Sequence, residues 1–304
     1  MTSDASVHLR RLGPRLRFVE AHDGDPSPGN GGLTIALVAV EDRARLWLVG
    51  AGPTPRFGLA LSEALGRAVT DVVFTRPHGP LTLGAAAFAG ARRWALGATA
   101  AAMARDCAAC RAGLAQAIGA EAAASLLPGL VRLPDHRIDP PGASSGRLGP
   151  FRWQAVMRAA GQAVLLLKVD GTRWWLAQGL VWPGALPDLR GTDEAVIAGT
   201  WRRLHDAMEA DDRVIGERGD PGTRLDLRRH ARYLQALQDV VDAALAAGHH
   251  AGEVALDLPG WSLTGAQAAQ HALNAQRVWR SREAAWLRAG AAQPGPGSSR
   301  RSLR

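Results

Sequence analysis

A strand, a helix and a second strand follow one another between residues 45 and 75, and this order constrains the fold more than any other feature. The apolar run "RLWLVG" (45–50) precedes "PRFGLALSEALGRA" (55–68), whose apolar residues have helical spacing, and "DVVFT" (71–75) is typical of a buried strand. Such a βαβ unit predicts parallel strands in an α/β domain, with ligands beyond their carboxyl ends. We therefore expect a site directly after Thr75.

The remaining segments repeat the alternation of strands and helices in two halves that meet near residues 139–150. In chain order we expect a strand over 32–40 pairing with 45–50, a helix over 98–126, a loop over 139–151, strands within 163–170 and 172–182 joined at the Asp170-Gly171 turn, a helix near 195–210, a short strand within 212–222, and helices over 223–247 and 264–287. This pattern predicts an α/β fold, a four-layer αβ/βα sandwich of two mixed sheets, with the C-terminal helices as an annex.

The chain has 304 residues, 47% of them hydrophobic, and a formal net charge of +8. Its basic residues are almost all arginine, Lys168 being the only lysine, and they are spread along the sequence rather than gathered in one stripe. We therefore expect neither nucleic acid nor a membrane as a partner. The first residues lack the apolar core of a signal peptide, so we expect a cytoplasmic protein.

Domain limits follow from the same patterns. We separate residues 1–17 as a basic N-terminal segment and assign 18–290 to the main domain, with the helices over 223–287 included because no linker precedes them. Residues 291–304, "AQPGPGSSRRSLR" with the preceding alanine, have the composition of a disordered tail.

Three stretches carry a resemblance to a known family. They are "LWLVGAGPTPRFG" with Gly52, "TRPHGPLTLGAAAF" from Thr75 to Phe88, and "WSLTGAQAAQHALNAQRVWRSREAAW" with the set His271, Asn274, Arg277, Val278 and Glu283. Over residues 32–287 the chain resembles the metallo-β-lactamase-fold hydrolases. The C-terminal match resembles more narrowly the zinc metallohydrolases associated with quinoprotein (PQQ-linked) alcohol oxidation.

The resemblance implies a two-zinc site after Thr75, but the chain retains only His78 among the implied ligand positions. The other ligand positions carry residues that cannot replace those ligands: Arg76, Pro80, Leu81, Gly161 or Gln162, Gly179 and Arg218. Gly50 stands in the place of an aspartate in the family's first strand motif. A guanidinium has no lone pair for a metal. We therefore expect no zinc and no other cofactor, and we expect Arg76, His78 and Arg218 to form a former metal site that could bind an anion.

Three functions stay open. The first, which we favour, is a catalytically inactive member of the fold that acts as a binding or regulatory protein, with a small anionic ligand or an active homologue as its partner. The second is a metal-free hydrolase of esters or thioesters that uses His78 as a base, although the resemblance supplies no carboxylate to orient that imidazole. The third is a zinc enzyme with other ligands, such as Asp135, His136 or Asp139.

Overall fold

The computed structural model describes residues 6–22, 35–118, 124, 131–263 and 265–292. By its contacts the chain divides into two compact units, the first made of residues 1–187 and 191–230 and the second of residues 188–190 and 231–304. Its strands are β1 Ser6–Arg11, β2 Leu16–His22, β3 Ile35–Asp42, β4 Arg45–Val49, β5 Asp71–Phe74, β6 Arg92–Ala95, β7 His136–Arg137, β8 Ser145–Leu148, β9 Phe151–Ala159, β10 Gln162–Val169, β11 Trp174–Leu176 and β12 Arg213–Ile215. Its helices are α1 Pro55–Leu65, α2 Gly79–Thr82, α3 Gly97–Ile118, α4 Glu194–Ala207, α5 Arg224–Ala246 and α6 Ala266–Ala292, with a 3₁₀ turn at Leu83–Ala87.

Two mixed sheets form the first unit, as the sequence predicts. The seven-stranded sheet has the order β1-β2-β3-β4-β5-β6-β7, and the five-stranded sheet has the order β12-β11-β10-β9-β8. Strands β4 to β7 are parallel, whereas β1 to β4 are antiparallel. In the second sheet only β11 and β12 are parallel among the described pairs.

Alternation along the strands creates two hydrophobic layers. In β3, Ile35 and Leu37 face a cluster that contains residues of α1 and α3, while Val38 and Val40 face the second sheet. The cluster between the sheets contains apolar side chains from both of them, including Trp47, Phe151, Leu165 and Ile215. This period of two fits strands buried on both faces.

Helices cover the outer face of each sheet. The buried face of α1, with Phe57 and Leu61, and Met103 of α3 join the cluster on the first sheet. On the second sheet, α4 lies on β9, where the Thr200 hydroxyl donates to the Met157 carbonyl oxygen at 3.1 Å. Helix, sheet, sheet and helix give the four-layer sandwich predicted from the sequence.

Several elements differ from the sequence-based expectations. The described residues of the segment 1–17 form β1 and the beginning of β2, and so belong to the first sheet rather than standing apart from the domain. The expected loop over 139–151 contains β8, and β9 after it was not expected as a strand. The expected end of the long helix falls on residues 119–126, of which only residue 124 is described, and residues 293–304 of the expected tail also lie outside the described residues.

A polar network holds the second unit together. It includes His271, Asn274 and Arg277, which carry the C-terminal resemblance. Asn274 is fully buried; its Oδ1 accepts from the Leu189 amide at 3.2 Å, and its Nδ2 donates to the Tyr233 hydroxyl at 3.3 Å. Arg277 lies 3.3 Å from Asp188, and His271 Nδ1 lies 3.0 Å from the Tyr233 hydroxyl. These residues therefore have a structural role in the unit.

Candidate functional site

The candidate site lies where β5 of one sheet and β12 of the other end. Arg76 follows β5 by two residues, and Glu217 follows β12 by two residues. The Arg76 Nη2 donates to Glu217 Oε1 at 2.8 Å, and both side chains are almost completely shielded from solvent. A buried ion pair therefore joins the two sheets at their carboxyl ends.

His78 contacts the same carboxylate. Its Nδ1 lies 3.1 Å from Glu217 Oε1, and 16% of its side chain is exposed. The short helix α2 fixes the loop: the Leu81 amide donates to the His78 carbonyl oxygen at 2.9 Å, and Pro80 stands in the first turn, where its missing N–H is not needed. The structure thus brings Arg76 and His78 together around a carboxylate that was not predicted.

The carboxylate of Glu217 is ionised. Complete burial alone would raise its pKa, but the charges of Arg76, His78 and Arg218 and a hydrogen bond from His78 outweigh this effect and hold the pKa far below its usual value of 4.5. Arg218 therefore lies close enough to act on Glu217, so all three predicted site residues converge on this one group.

The Arg76 side chain occupies the space next to Gly179. Gly179 follows β11 and has a φ of +77°, and a Cβ atom placed on it would lie only 2.6 Å from Arg76 Cδ. Gly50, after β4, is enclosed in the same way, since a Cβ there would lie 2.7 Å from a Leu37 methyl and 3.2 Å from a Leu81 methyl. Neither position has room for a carboxylate side chain in this arrangement.

A second polar link joins the sheets beside the ion pair. The Thr75 hydroxyl donates to Gln178 Oε1 at 2.7 Å, and Gln178 Nε2 donates to the Ala36 carbonyl oxygen at 2.7 Å. The Ala36 amide in turn donates to the Glu217 carbonyl oxygen at 2.8 Å. The buried polar groups at this edge therefore hold the strand ends in fixed positions.

Comparison with solved structures identifies this architecture. The metallo-β-lactamase FIM-1 from Pseudomonas aeruginosa in its mono-zinc form matches with a TM-score of 0.60 at 12% identity, covering 77% of this chain and 98% of that one. The chain has the metallo-β-lactamase fold. A metallo-β-lactamase from Hirschia baltica matches with a TM-score of 0.59 at 12% identity over 75% of this chain and 97% of that one, and one from Pontibacter korlensis with 0.57 at 13% over 76% and 99%. No protein-family model and no curated protein matches the sequence.

In this metallo-β-lactamase fold, the residues considered as alternative zinc ligands are occupied by other contacts. Asp135 pairs with Arg93 and lies 2.7 Å from His136 Nδ1, while Asp139 accepts from the Gly97 amide at 2.7 Å. Within the described ranges, no three His, Cys, Asp or Glu side chains are grouped so that they could hold a metal ion. No described helix is both long enough and apolar enough to cross a bilayer.

Glu217 is the site residue that the sequence reasoning missed: the resemblance supplied no carboxylate near His78, whereas the structure places Glu217 Oε1 3.1 Å from His78 Nδ1. The resemblance places Arg218, one residue further along, at the position of the family's last histidine. The signal was present in "VIGERGD", where an acidic residue follows a short apolar strand. Residues just after neighbouring strand ends converge in space, which makes an acidic residue at this position a candidate site residue.

Proposed function

We propose that the protein is a metal-free member of the metallo-β-lactamase fold that works as a binding or regulatory protein. One observation carries the proposal: the guanidinium of Arg76 is buried against Glu217 at 2.8 Å, at the strand ends where the resemblance implies zinc. On this account a permanent organic cation joins the two sheets in the position of a metal cation.

The residues present do not fit zinc. Zinc needs three or four lone-pair donors in a tetrahedral arrangement, and structural or catalytic sites rarely have fewer than three protein ligands. Among the residues that the structure describes, Glu217 and His78 are the donors at this position, and Glu217 already neutralises Arg76. A Zn²⁺ ion beside the fixed charge of Arg76 would also meet electrostatic repulsion.

The proposed partners follow the more specific part of the resemblance. The C-terminal residues Asn274 and Arg277 match the zinc metallohydrolases linked to quinoprotein alcohol oxidation, and we propose that the chain is a relative of that group with degenerate ligands. An active homologue or a small anion is then the natural partner. We propose a cytoplasmic location, without nucleic acid or membrane partners.

A second candidate, metal-free ester or thioester hydrolysis, gains support from one contact. Glu217 Oε1 lies 3.1 Å from His78 Nδ1, so a small rotation of the imidazole into hydrogen-bond geometry would let the carboxylate hold one tautomer with Nε2 as the base. However, the same oxygen accepts from Arg76, which weakens its hold on His78. General-base catalysis alone contributes only about 10²- to 10⁴-fold, so any such rate should be low.

Metal analysis and hydrolysis assays on one preparation test both candidates. We expect substoichiometric zinc and no hydrolysis of nitrocefin, a nitrophenyl ester or a thioester above background, with or without added zinc. Stoichiometric zinc would refute the proposal. Metal-free turnover that disappears in His78→Ala but persists in the matched surface variant His249→Ala would establish the second candidate instead.

A further inference from the structure

An open pocket of about 470 Å³ lies in the first unit, and neither Arg76 nor Glu217 lines it. Its lining comes from the last turn of α1, from residues 68–70 before β5, from residues 87–90 before β6, and from Arg92 at the start of β6. Pockets for small molecules typically have volumes of about 300–1,000 Å³. Because these segments precede the parallel strands β5 and β6, the pocket lies at the amino ends of the strands, opposite to the buried ion pair.

Most of the lining of this pocket is apolar. Val69 and Phe88 line it, and both belong to the hydrophobic cluster on the first sheet. Ala68, Ala87 and Ala89 add methyl groups, whose small size leaves the space between them open. Such a lining favours a ligand with an apolar body over one that is strongly hydrated throughout.

Arg92 brings a positive charge to the pocket. Its Nε lies 3.0 Å from Asp71 Oδ1, and its Nη2 donates to Asp71 Oδ2 at 3.4 Å. The same carboxylate, which is completely buried, accepts shorter hydrogen bonds from Arg45 Nε at 2.8 Å, from the Thr70 hydroxyl at 2.7 Å and from Trp94 Nε1 at 2.8 Å. Arg92, whose side chain is 44% exposed, is therefore held less tightly than the other donors.

The cluster around Asp71 has a surplus of positive charge. Among the described residues, Asp71 is the only acidic side chain within ion-pair distance of Arg45 or Arg92, so two guanidinium groups face one carboxylate. Burial alone would raise the pKa of Asp71, but hydrogen bonds from Arg45, Thr70 and Trp94 lower it, so the carboxylate is ionised at neutral pH. One positive charge remains, which suits an anion with a single negative charge.

From the pocket and its charge we infer that the protein binds a small monocarboxylate with an apolar body. The planar guanidinium of Arg92 pairs with the carboxylate, for which its N–H groups are well suited. Val69 and Phe88 contact the apolar body, and the Ser62 hydroxyl, which also lines the pocket, can donate to the carboxylate. The binding goes beyond the proposed function, because the pocket lies at the opposite ends of the strands from the buried ion pair.

NMR titration of the purified protein with hexanoate, acetate and 1-hexanol at constant ionic strength tests the inference. We expect hexanoate to bind with a dissociation constant below about 10 mM. Acetate lacks the apolar body and hexanol lacks the charge, so each should bind at least about tenfold more weakly. Equal binding of hexanoate and either other compound, or a dissociation constant for hexanoate above about 10 mM, would overturn the inference.

Two arginine variants locate the binding. Arg92→Gln should weaken hexanoate binding at least about tenfold, because the charge at the pocket is lost. Arg152 provides the matched control: its side chain is 59% exposed and pairs with Asp170, a carboxylate that also pairs with a second arginine, but it does not line the pocket. Arg152→Gln should bind hexanoate like the wild type, and equal affinities of the two variants would contradict the assignment of the site.

Thermal unfolding checks that Arg92→Gln is folded, which we expect because Asp71 keeps Arg45 as its counter-charge. The comparison of the three compounds on the wild type tests the inference without any variant. Neither measurement involves zinc or turnover, so a failure to bind hexanoate refutes only this inference, whereas stoichiometric zinc or hydrolysis refutes the proposed function.

Discussion

Arg76 and Glu217 each depend on the other, because both charges are buried. Glu217 is completely shielded and Arg76 has 8% of its side chain exposed. A buried ion pair adds little stability compared with an apolar pair of similar size. Removal of one partner, however, leaves a buried charge without its counter-charge, which lowers stability strongly. The pair therefore fixes the positions of β5 and β12 more than it stabilises the fold.

Substitution of the pair should show this dependence. We expect Glu217→Leu to lower the free energy of unfolding by about 3–5 kcal/mol, since Arg76 is left buried without its counter-charge. The double variant Arg76→Met/Glu217→Leu should regain most of that loss. Urea unfolding of the three proteins measures both changes. A double variant less stable than Glu217→Leu would contradict the account.

His230 gives the protein a pH-dependent stability. It is completely buried, and its Nε2 accepts from the Trp182 amide at 3.0 Å. Burial, with a smaller effect of Arg229, lowers the pKa of His230 from 6.5 to about 3. The folded protein therefore keeps this imidazole neutral while the unfolded chain takes up a proton.

Stability should consequently fall as the pH drops below about 6.5, because only the unfolded state binds the proton between about pH 6.5 and 3. The largest contribution of His230 is about 1.4 kcal/mol per pH unit. We expect His230→Gln, whose amide oxygen can accept from the Trp182 amide, to lose this slope between pH 6.5 and 5, above the range in which carboxylates titrate. If the free energies of unfolding of the wild type and of His230→Gln, measured by chemical unfolding, change equally with pH, His230 is not responsible.

Among the elements, the turns after the strands determine which side chains have room at the site. The turn at Gly179, after β11, lies against Arg76. In the turn after β4, the Gly52 carbonyl oxygen accepts a hydrogen bond from the Gly84 amide at 2.9 Å. A Cβ at Gly84 would lie 2.0 Å from the Ala51 carbonyl oxygen, so only glycine fits there. Close packing therefore explains the glycines that match the family, Gly52 and Gly84, whether or not a metal is bound.

Two glycines with similar backbones allow the packing effect to be measured. Gly179 and Gly171 have φ angles of +77° and +69°, but a Cβ at Gly171 would meet nothing within 4 Å. We expect Gly171→Ala to cost about 1–2 kcal/mol from backbone strain alone. Gly179→Ala should cost distinctly more, because it also displaces Arg76 from Glu217. Equal losses in thermal unfolding would mean that the Arg76 side chain is not fixed.

The sequence predicted the elements with continuous apolar runs or helical spacing, and several strands were not predicted. The βαβ unit from β4 to β5 was predicted because its strands are buried and its helix is amphipathic. Six strands were not predicted: β1, β2, β6, β7, β8 and β9. In β9, "FRWQAVMRA", apolar and other residues alternate, which is the signal of a half-buried strand, so this strand was predictable from the sequence. Glu217 was missed because pairing between distant strand ends depends on tertiary structure, which local patterns do not contain.

The site lies at the edge of the sandwich where side-chain contacts connect the two sheets. Arg76 connects β5 to β12, and Gln178 connects Thr75 and β3 to the segment after β11. A bound metal with ligands from several strand ends would join the same elements. We propose that an internal guanidinium, with these hydrogen bonds, joins them here in place of a metal.

A crystal structure of the protein grown with excess zinc, with anomalous data collected at the zinc edge, distinguishes a guanidinium from a metal at this position. We expect Arg76 Nη2 to stay within hydrogen-bond distance of Glu217 Oε1, as at 2.8 Å in the present structure, and no zinc peak to appear at the site. An anomalous peak about 2 Å from His78 and Glu217, with Arg76 displaced from the carboxylate, would contradict it.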